Sequence, residues 1–483
     1  MPAPLAYLLA TVALVALAWW LLVPPWQAPD EERHWSYVQS MAERLVPPGD
    51  VERSEQSTEQ ELAMSRSNAA AAAGNPGEEI EWSEEADRRF ERTQAGLPAT
   101  VRSDGGGSNP ADVNPRLYYA YASLGYWAAG DGGVFDRLYA ARAVSALLLL
   151  VTTAGAWLLA GEVFGRNRTL QLAAAAVTGL APMITFVSAS VNPDALLYAL
   201  WSLALWLGAR ILRRGLSAVT AFSFLAVVGL AMLTKATTLL LLPGVVVVLA
   251  LAVSRLVRRR TGWSAAATAG VGIVVALALP LGGFVAANQA LENPSALTAG
   301  LSGSAAAPER PLSFFASYLW QFYLPKLPSQ QEFAGFPALP VYDYWVKGAW
   351  GSFGAREVKL PEPVYLALAL VSVGIAAAAL VALVRARRRG HRDLALPIYL
   401  GVVALSLLAG LHYTEYRLLL STGGPSSQGR YLLPLMPLAG VAAACALTLV
   451  PRPRRSEVLL GGLGVMLALQ VLSLAAVANR FYA

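Results

Sequence analysis

The chain has 483 residues, 56% of them hydrophobic and 14% charged, a composition more apolar than a water-soluble domain of this length needs for its core. The formal charge of +6 does not point to nucleic acid, because the basic residues stand in short clusters between apolar runs, where they act as orientation signals. Cys445 is the single cysteine and lies inside an apolar run, so one chain cannot build a disulfide framework or a cysteine metal site.

Runs of about 18 or more apolar residues match the hydrocarbon thickness of a bilayer, and they recur along the whole chain. The expected fold is therefore all-α, a polytopic transmembrane bundle of about eleven helices. Residues 1–23 hold the first, Leu5 to Val23, which lacks a basic leader and a small-residue cleavage site and reads as a retained helix. Residues 24–137 form a long acidic outer loop. Helices two to seven fill 138–287, at about Leu138 to Ala160, Leu170 to Val187, Ala195 to Leu212, Ala218 to Leu233, Thr237 to Leu256 and Trp263 to Ala287. A second outer loop, 288–362, is rich in aromatic residues, and 363–483 carry the last four helices, near Val364 to Val384, Leu394 to Leu411, Tyr431 to Val450 and Val458 to Val477.

Basic clusters at Arg166 and Arg168, Arg213 and Arg214, Arg258 to Arg260, Arg387 to Arg389, and Arg452 to Arg455 fall at every alternate loop, opposed only by Glu162, Asp393 and Glu457. The positive-inside rule then puts the amino terminus in the cytoplasm and the carboxyl terminus outside, in a multi-pass protein of the cytoplasmic membrane. The first outer loop carries most of the chain's acidic side chains. Within it Trp35, Val38, Met41, Ala42 and Leu45 share one helical face, as in an amphipathic helix on the membrane surface with its polar face outward. Residues 52–109 are polar, Ala-rich and Gly-rich, including Gly105-Gly106-Gly107, and suggest loose helices or partial disorder. The aromatic rings of the second outer loop suit a membrane-interface cap first, and sugar stacking or a lipid groove second.

The strong candidates for chemistry all fall on the outer side of this topology. Asp30 and Glu31 follow the first helix directly; a carboxylate there can act as general base toward an acceptor hydroxyl, or hold a divalent cation such as Mg or Mn beside a phosphate. An N-cap with an acidic first turn accounts for the same residues. Asp194 opens the fourth helix, with Asn192 placed to cap it across Pro193, and a carboxylate so close to an apolar run needs a partner. Arg142, just inside the second helix, invites the same argument, with snorkelling as its ordinary explanation. Lys235 sits between two short helices. Gln428, Arg430 and Tyr431 lie where an outer loop enters the tenth helix, and the fork of Arg430 suits a phosphate, strengthened by Lys235, or an interfacial anchor. Asn114, Tyr118 and Tyr119 return the long loop to the second helix and either line a groove or anchor the loop. His34 completes the set, and Asp30, Glu31, His34 and Asp194 are the possible metal ligands, at spacings that are diagnostic of none.

Together Pro29-Asp30-Glu31-x-x-His34, Asn114-Pro115-x-Leu117-Tyr118-Tyr119, Asn192-Pro193-Asp194 and Gln428-Gly429-Arg430-Tyr431-x-x-Pro434 resemble a family of predicted bacterial membrane proteins of unassigned function. That family is similar to the GT-C glycosyltransferases, which include protein mannosyltransferases and the lipid A aminoarabinose transferase. The resemblance runs from the first helix to the tenth. It implies a sugar donor on polyprenyl phosphate, bound at the outer leaflet among membrane lipids, and transfer to a saccharide, lipid or protein acceptor. It also implies Asp30, with Glu31 beside it, as the catalytic carboxylate, Asp194 as a second acidic position, and Arg430 or Lys235 as the holders of the lipid phosphate. The remaining candidates, His34, Asn114, Tyr118, Tyr119, Arg142, Asn192, Gln428 and Tyr431, would bind substrate. Two other classes stay open: a transporter or lipid-linked-sugar flippase, which would more typically carry its ionisable groups at mid-membrane, and a non-catalytic subunit of a cell-envelope complex.

Overall fold

The computed structural model describes residues 1–80, 83–259, 310–389, 393–422, 424–425 and 428–483, with isolated positions between 278 and 286. Its helices in chain order are α1 (Ala3–Leu22), α2 (Glu31–Arg44), α3 (Thr58–Arg66), α4 (Ala69–Ala72), α5 (Glu84–Ala95), α6 (Leu117–Ala128), α7 (Val134–Phe164), α8 (Arg168–Gly179), α9 (Pro182–Ser188), α10 (Asp194–Arg214), α11 (Ala218–Met232) and α12 (Leu242–Arg259). After the undescribed stretch come α13 (Leu312–Tyr323), α14 (Lys347–Trp350), α15 (Glu362–Arg388), α16 (Ala395–Thr422), α17 (Met436–Leu447) and α18 (Arg455–Tyr482). One antiparallel hairpin, β1 (Ser352–Phe353) and β2 (Val358–Lys359), pairs Ser352 with Lys359 and Phe353 with Val358.

Among the described residues eight helices are long and apolar enough to cross a membrane, or nine if the bent pair α8 and α9 is one span. Nine of the ten crossings expected among them have such a helix, the bent pair counted as one; the fifth, Ala218 to Leu233, is α11, apolar but only 15 residues long. The seventh, Trp263 to Ala287, lies outside the described residues apart from isolated positions. The third crossing is broken by 60° between α8 and α9, because Pro182 has no N–H and disfavours helical backbone at Ala181. The break is satisfied from the last helix: Gln470 Nε2 donates to Leu180 O (3.0 Å) and to Thr185 Oγ1 (2.9 Å), while Gln470 Oε1 accepts from Trp19 Nε1 (2.7 Å). One amide thus meets the backbone need that an apolar surrounding would leave open.

α7 is the hub of the bundle, touching α1, α6, α8, α9 and α10. By contrast α15 buries little of itself and exposes Leu366, Leu370, Val371, Val373 and Leu380, the surface a lipid-facing helix presents. At one end of the bundle two of the three acids that oppose the basic clusters are themselves paired. Arg214 binds Glu162 (2.8 Å), and Arg255 binds Asp393 (2.9 Å).

The segment between α1 and α7 folds differently from the expectation. The apolar residues Trp35 and Val38 of α2 are buried, and Met41 and Ala42 partly so, but Leu45 is 69% exposed. The polar face of α2 does not look outward, because α3 covers it: Ser36 Oγ donates to Gln60 Oε1 (2.8 Å) and Gln39 Nε2 to Glu59 Oε2 (3.0 Å). Glu59 is itself clamped by Arg137 of α7 (2.5 Å), both side chains being buried. Residues 52–109 are therefore held as docked helices. The glycine run serves this packing rather than looseness: Gly107 N donates to Ser54 O (2.7 Å), and a Cβ at Gly107 would lie 2.2 Å from Arg53 O.

Candidate functional site

The end of α1, the start of α2, the start of α10, the link from α11 to α12 and the entry to α17 converge at one end of the bundle. Asp30 begins α2 with φ of 58°, a left-handed conformation that asparagine and aspartate tolerate better than other side chains. This turn separates two neighbouring carboxylates. The Asp30 side chain meets Arg430 Nη2 in an ion pair and stays 39% exposed. Glu31 turns inward and is fully buried.

Glu31 is wholly occupied. Its Oε1 accepts from Arg142 Nε (2.7 Å) and Val191 N (2.9 Å), and its Oε2 accepts from Arg142 Nη2 and Trp26 N (3.0 Å). Arg142 also donates to Val23 O (2.6 Å) and Pro24 O (2.8 Å), the carbonyls left open where α1 ends. Glu31 and Arg142, expected as a catalytic and a substrate-binding residue, thus form a sealed clamp between α1, α7 and the loop before α10. Neither reaches solvent.

Asp194 pairs with Lys235 Nζ (2.6 Å). Asn192 joins this pair to the first: its Oδ1 accepts from Asp194 N (3.0 Å) as a cap, and its Nδ2 donates to Pro29 O (3.2 Å) beside Asp30. Lys235 Nζ and Arg430 Cζ lie 5.6 and 5.4 Å from the centre of the Tyr431 ring, and Tyr198 donates to Arg430 O (3.4 Å). Two carboxylates and two cations from distant stretches of chain are thereby gathered at one place.

Tyr119 and Tyr118 stand behind this group and are fully buried. Tyr119 OH bonds His34 Nδ1 (3.0 Å), its ring stacks on Tyr37 at 3.5 Å, and Tyr37 OH donates to Asn114 O (3.2 Å). Tyr118 OH bonds Ser145 Oγ (2.7 Å). Asn114, Tyr118 and Tyr119 therefore support His34 and α7 rather than line an open groove, a correction forced by their burial.

Burial would raise the Asp30 carboxyl, but the Arg430 guanidinium outweighs it and holds the group near 2, fully ionised at neutral pH. Burial drives His34 down to about 3, so its imidazole is neutral. Glu32, which the sequence reading passed over, is pushed up by burial to about 7, with the negative charges of Asp30 and Glu31 adding to the effect. No sequence signal marked Glu32, since its shift depends on what packs around it.

The proposed metal set does not fit a divalent cation as it stands. Asp30, Glu31 and Asp194 each hold a basic side chain, and His34 is bound to Tyr119. Among the described residues no three of His, Cys, Asp and Glu form a group that could hold a metal.

Beside Arg430 opens a cleft of about 680 Å³, bordered by Pro29, Gln428, Gly429 and Arg430 on one side and by Gly335 to Pro337, Asp343, Tyr344, Lys347 and the β1–β2 turn on the other. Gly429 allows the two sides to meet: a Cβ there would fall 2.3 Å from Ala349 N and 2.4 Å from Gly348 C. The aromatic content of this second outer segment suits a membrane-interface cap first and sugar stacking or a lipid groove second, but it gives no sign of the charged residues Asp343, Lys347, Arg356 and Glu357 in the lining.

The fold and site define a polytopic, all-α membrane protein with a charged, cleft-lined centre at one end of its bundle. The model of the family described as "Predicted membrane protein (DUF2142)" matches residues 13–439, and the chain belongs to that family. No match to a curated protein is found. Among solved structures the chain is similar to ArnT from Cupriavidus metallidurans in the apo state, with a TM-score of 0.44 and 19% identity, over 96% of this chain. It spans 63% of the length of that protein.

Proposed function

We propose that this protein is a GT-C-like glycosyltransferase that moves a sugar from a polyprenyl-phosphate carrier to a saccharide, lipid or protein acceptor. In this reading it works at the outer face of the cytoplasmic membrane, with its amino terminus inside and its carboxyl terminus outside. The observation that supports it is the meeting of the Asp30–Arg430 and Asp194–Lys235 pairs through Asn192 and Pro29. Two cations beside one aromatic ring suit a phosphate, the arginine by its fork and the lysine as a point charge. A partly exposed carboxylate next to them meets an acceptor hydroxyl.

Asp30 takes the proton of that hydroxyl as its oxygen bonds to the anomeric carbon. The bond from that carbon to the phosphate oxygen breaks, and its electron pair leaves on the lipid phosphate, where Arg430 and Lys235 meet the charge. A single displacement inverts the anomeric centre. While Arg430 holds it, Asp30 is a weak base; a donor phosphate that takes the guanidinium releases the carboxylate and raises its proton affinity.

The test is transfer from a radiolabelled polyprenyl-phosphate sugar by the purified chain in detergent. Asp30→Asn is expected to lower the rate about 10²- to 10⁴-fold with unchanged elution and thermal unfolding, and near-normal transfer would remove Asp30 from the role. Movement of intact lipid-linked sugar across a vesicle membrane, without its release from the carrier, would favour the flippase reading instead.

A further inference from the structure

The transfer just described uses only one edge of the cleft, and the opposite wall has chemistry of its own. Phe336 and Tyr344 border it with aromatic rings, which suit the apolar face of a sugar. Glu357 also borders it, its carboxylate shielded from solvent and set against the backbone amides of the hairpin turn, with no side-chain hydrogen-bond donor. A shielded carboxylate without a side-chain donor has capacity left for a donor from a ligand. Asp343 is held by Lys347 (2.8 Å), which also binds Glu362 (3.0 Å).

The charge of the wall is uneven. With Lys347 and Arg430 already paired, the cations of the lining without an ion pair are Arg356 and Lys359, both exposed. Arg356 stands at φ of 82° in the hairpin turn, a left-handed conformation that costs energy for a bulky side chain. Such strain recurs at ligand sites.

We infer that this cleft is the acceptor subsite and that its acceptor is an acidic saccharide, a glycan bearing a uronate carboxylate or a phosphate. The sugar ring lies against Phe336 and Tyr344, a hydroxyl donates to Glu357, and the anionic group meets Arg356 and Lys359. The cleft's size is that of an ordinary small-molecule site, and its contact with Pro29 and Arg430 delivers an acceptor hydroxyl to Asp30. The inference rests on Asp30 and Arg430 being the transfer centre.

The test is binding by the purified full chain in detergent, with trigalacturonate and glucose 6-phosphate as acidic probes, maltotriose as the neutral control and decaprenyl phosphate for the donor side. At least one acidic probe is expected to bind more tightly than maltotriose and to weaken with added salt. The double substitution Arg356→Ala/Lys359→Ala is expected to weaken it about tenfold while decaprenyl phosphate binds as before. Equal binding of maltotriose, an unaffected double variant, or no binding of either acidic probe would overturn the inference. Decaprenyl phosphate binding that needs Lys235 and Arg430, without any acidic saccharide binding, would leave the transfer reading standing and remove this one. The reverse pattern would keep the saccharide site and remove the transfer reading.

Discussion

Glu31 and Arg142, 111 residues apart, face each other in a buried, bidentate ion pair that also ties down the end of α1. Removing one partner leaves the other buried and uncompensated, which costs about 3–5 kcal/mol. Glu31→Gln and Arg142→Ala are therefore expected to lower thermal stability in detergent sharply, before any assay of transfer. Variants as stable as the parent protein would show that the clamp is not structural, and would return Glu31 to the list of groups that touch substrate.

Arg430 presents a planar fork, whereas lysine offers a point charge. Arg430→Lys is expected to keep the fold and weaken decaprenyl phosphate binding by about tenfold or more. Lys235→Met should add a further loss and leave Asp194 without its cation. Titration of the lipid against each variant checks this, and unchanged affinity in both would place the phosphate elsewhere.

At Gly429 the backbone of the loop touches that of α14. Gly429→Ala forces the two apart and is expected to cost about 1–3 kcal/mol, as overpacking does, and to shift Arg430 enough to weaken lipid binding. Gly374→Ala in α15, with nothing within 4 Å of the new Cβ, is the control and should be neutral or slightly stabilising. Equal behaviour of the two variants would reject the close-approach argument.

Burial pushes the Glu32 carboxyl from its ordinary 4.5 up to about 7 in the folded protein. A carboxyl whose folded value is the higher binds its proton more tightly when folded. Its contribution to stability is thus complete below 4.5 and is lost as the pH rises through about 7. Melting temperatures measured across this window should fall with rising pH more steeply for the native protein than for Glu32→Gln. Parallel curves would mean that Glu32 is not held in this way.

The described crossings were legible because each depends on one local quantity, the apolar length of a continuous run, and the 3.6-residue pattern found the buried side of α2 for the same reason. The cap by Asn192 at Asp194 is equally local. Less legible was residues 52–109, where a polar, glycine-rich composition hid helices held by Glu59 locked to Arg137 and by Ala63, Met64, Ala69 and Phe90 packed into the cluster around Trp35.

What the sequence determined by itself was an all-α membrane bundle and a short set of polar residues at its helix ends, since hydropathy and capping act over a few turns of chain. Which of those residues share a site was decided by tertiary structure alone. Asp30 and Glu31 are neighbours with the same functional group, yet one pairs with Arg430 at a partly open edge and the other is sealed against Arg142. Ion pairing and desolvation depend on distances of a few ångströms, and those distances are set by how remote helices pack.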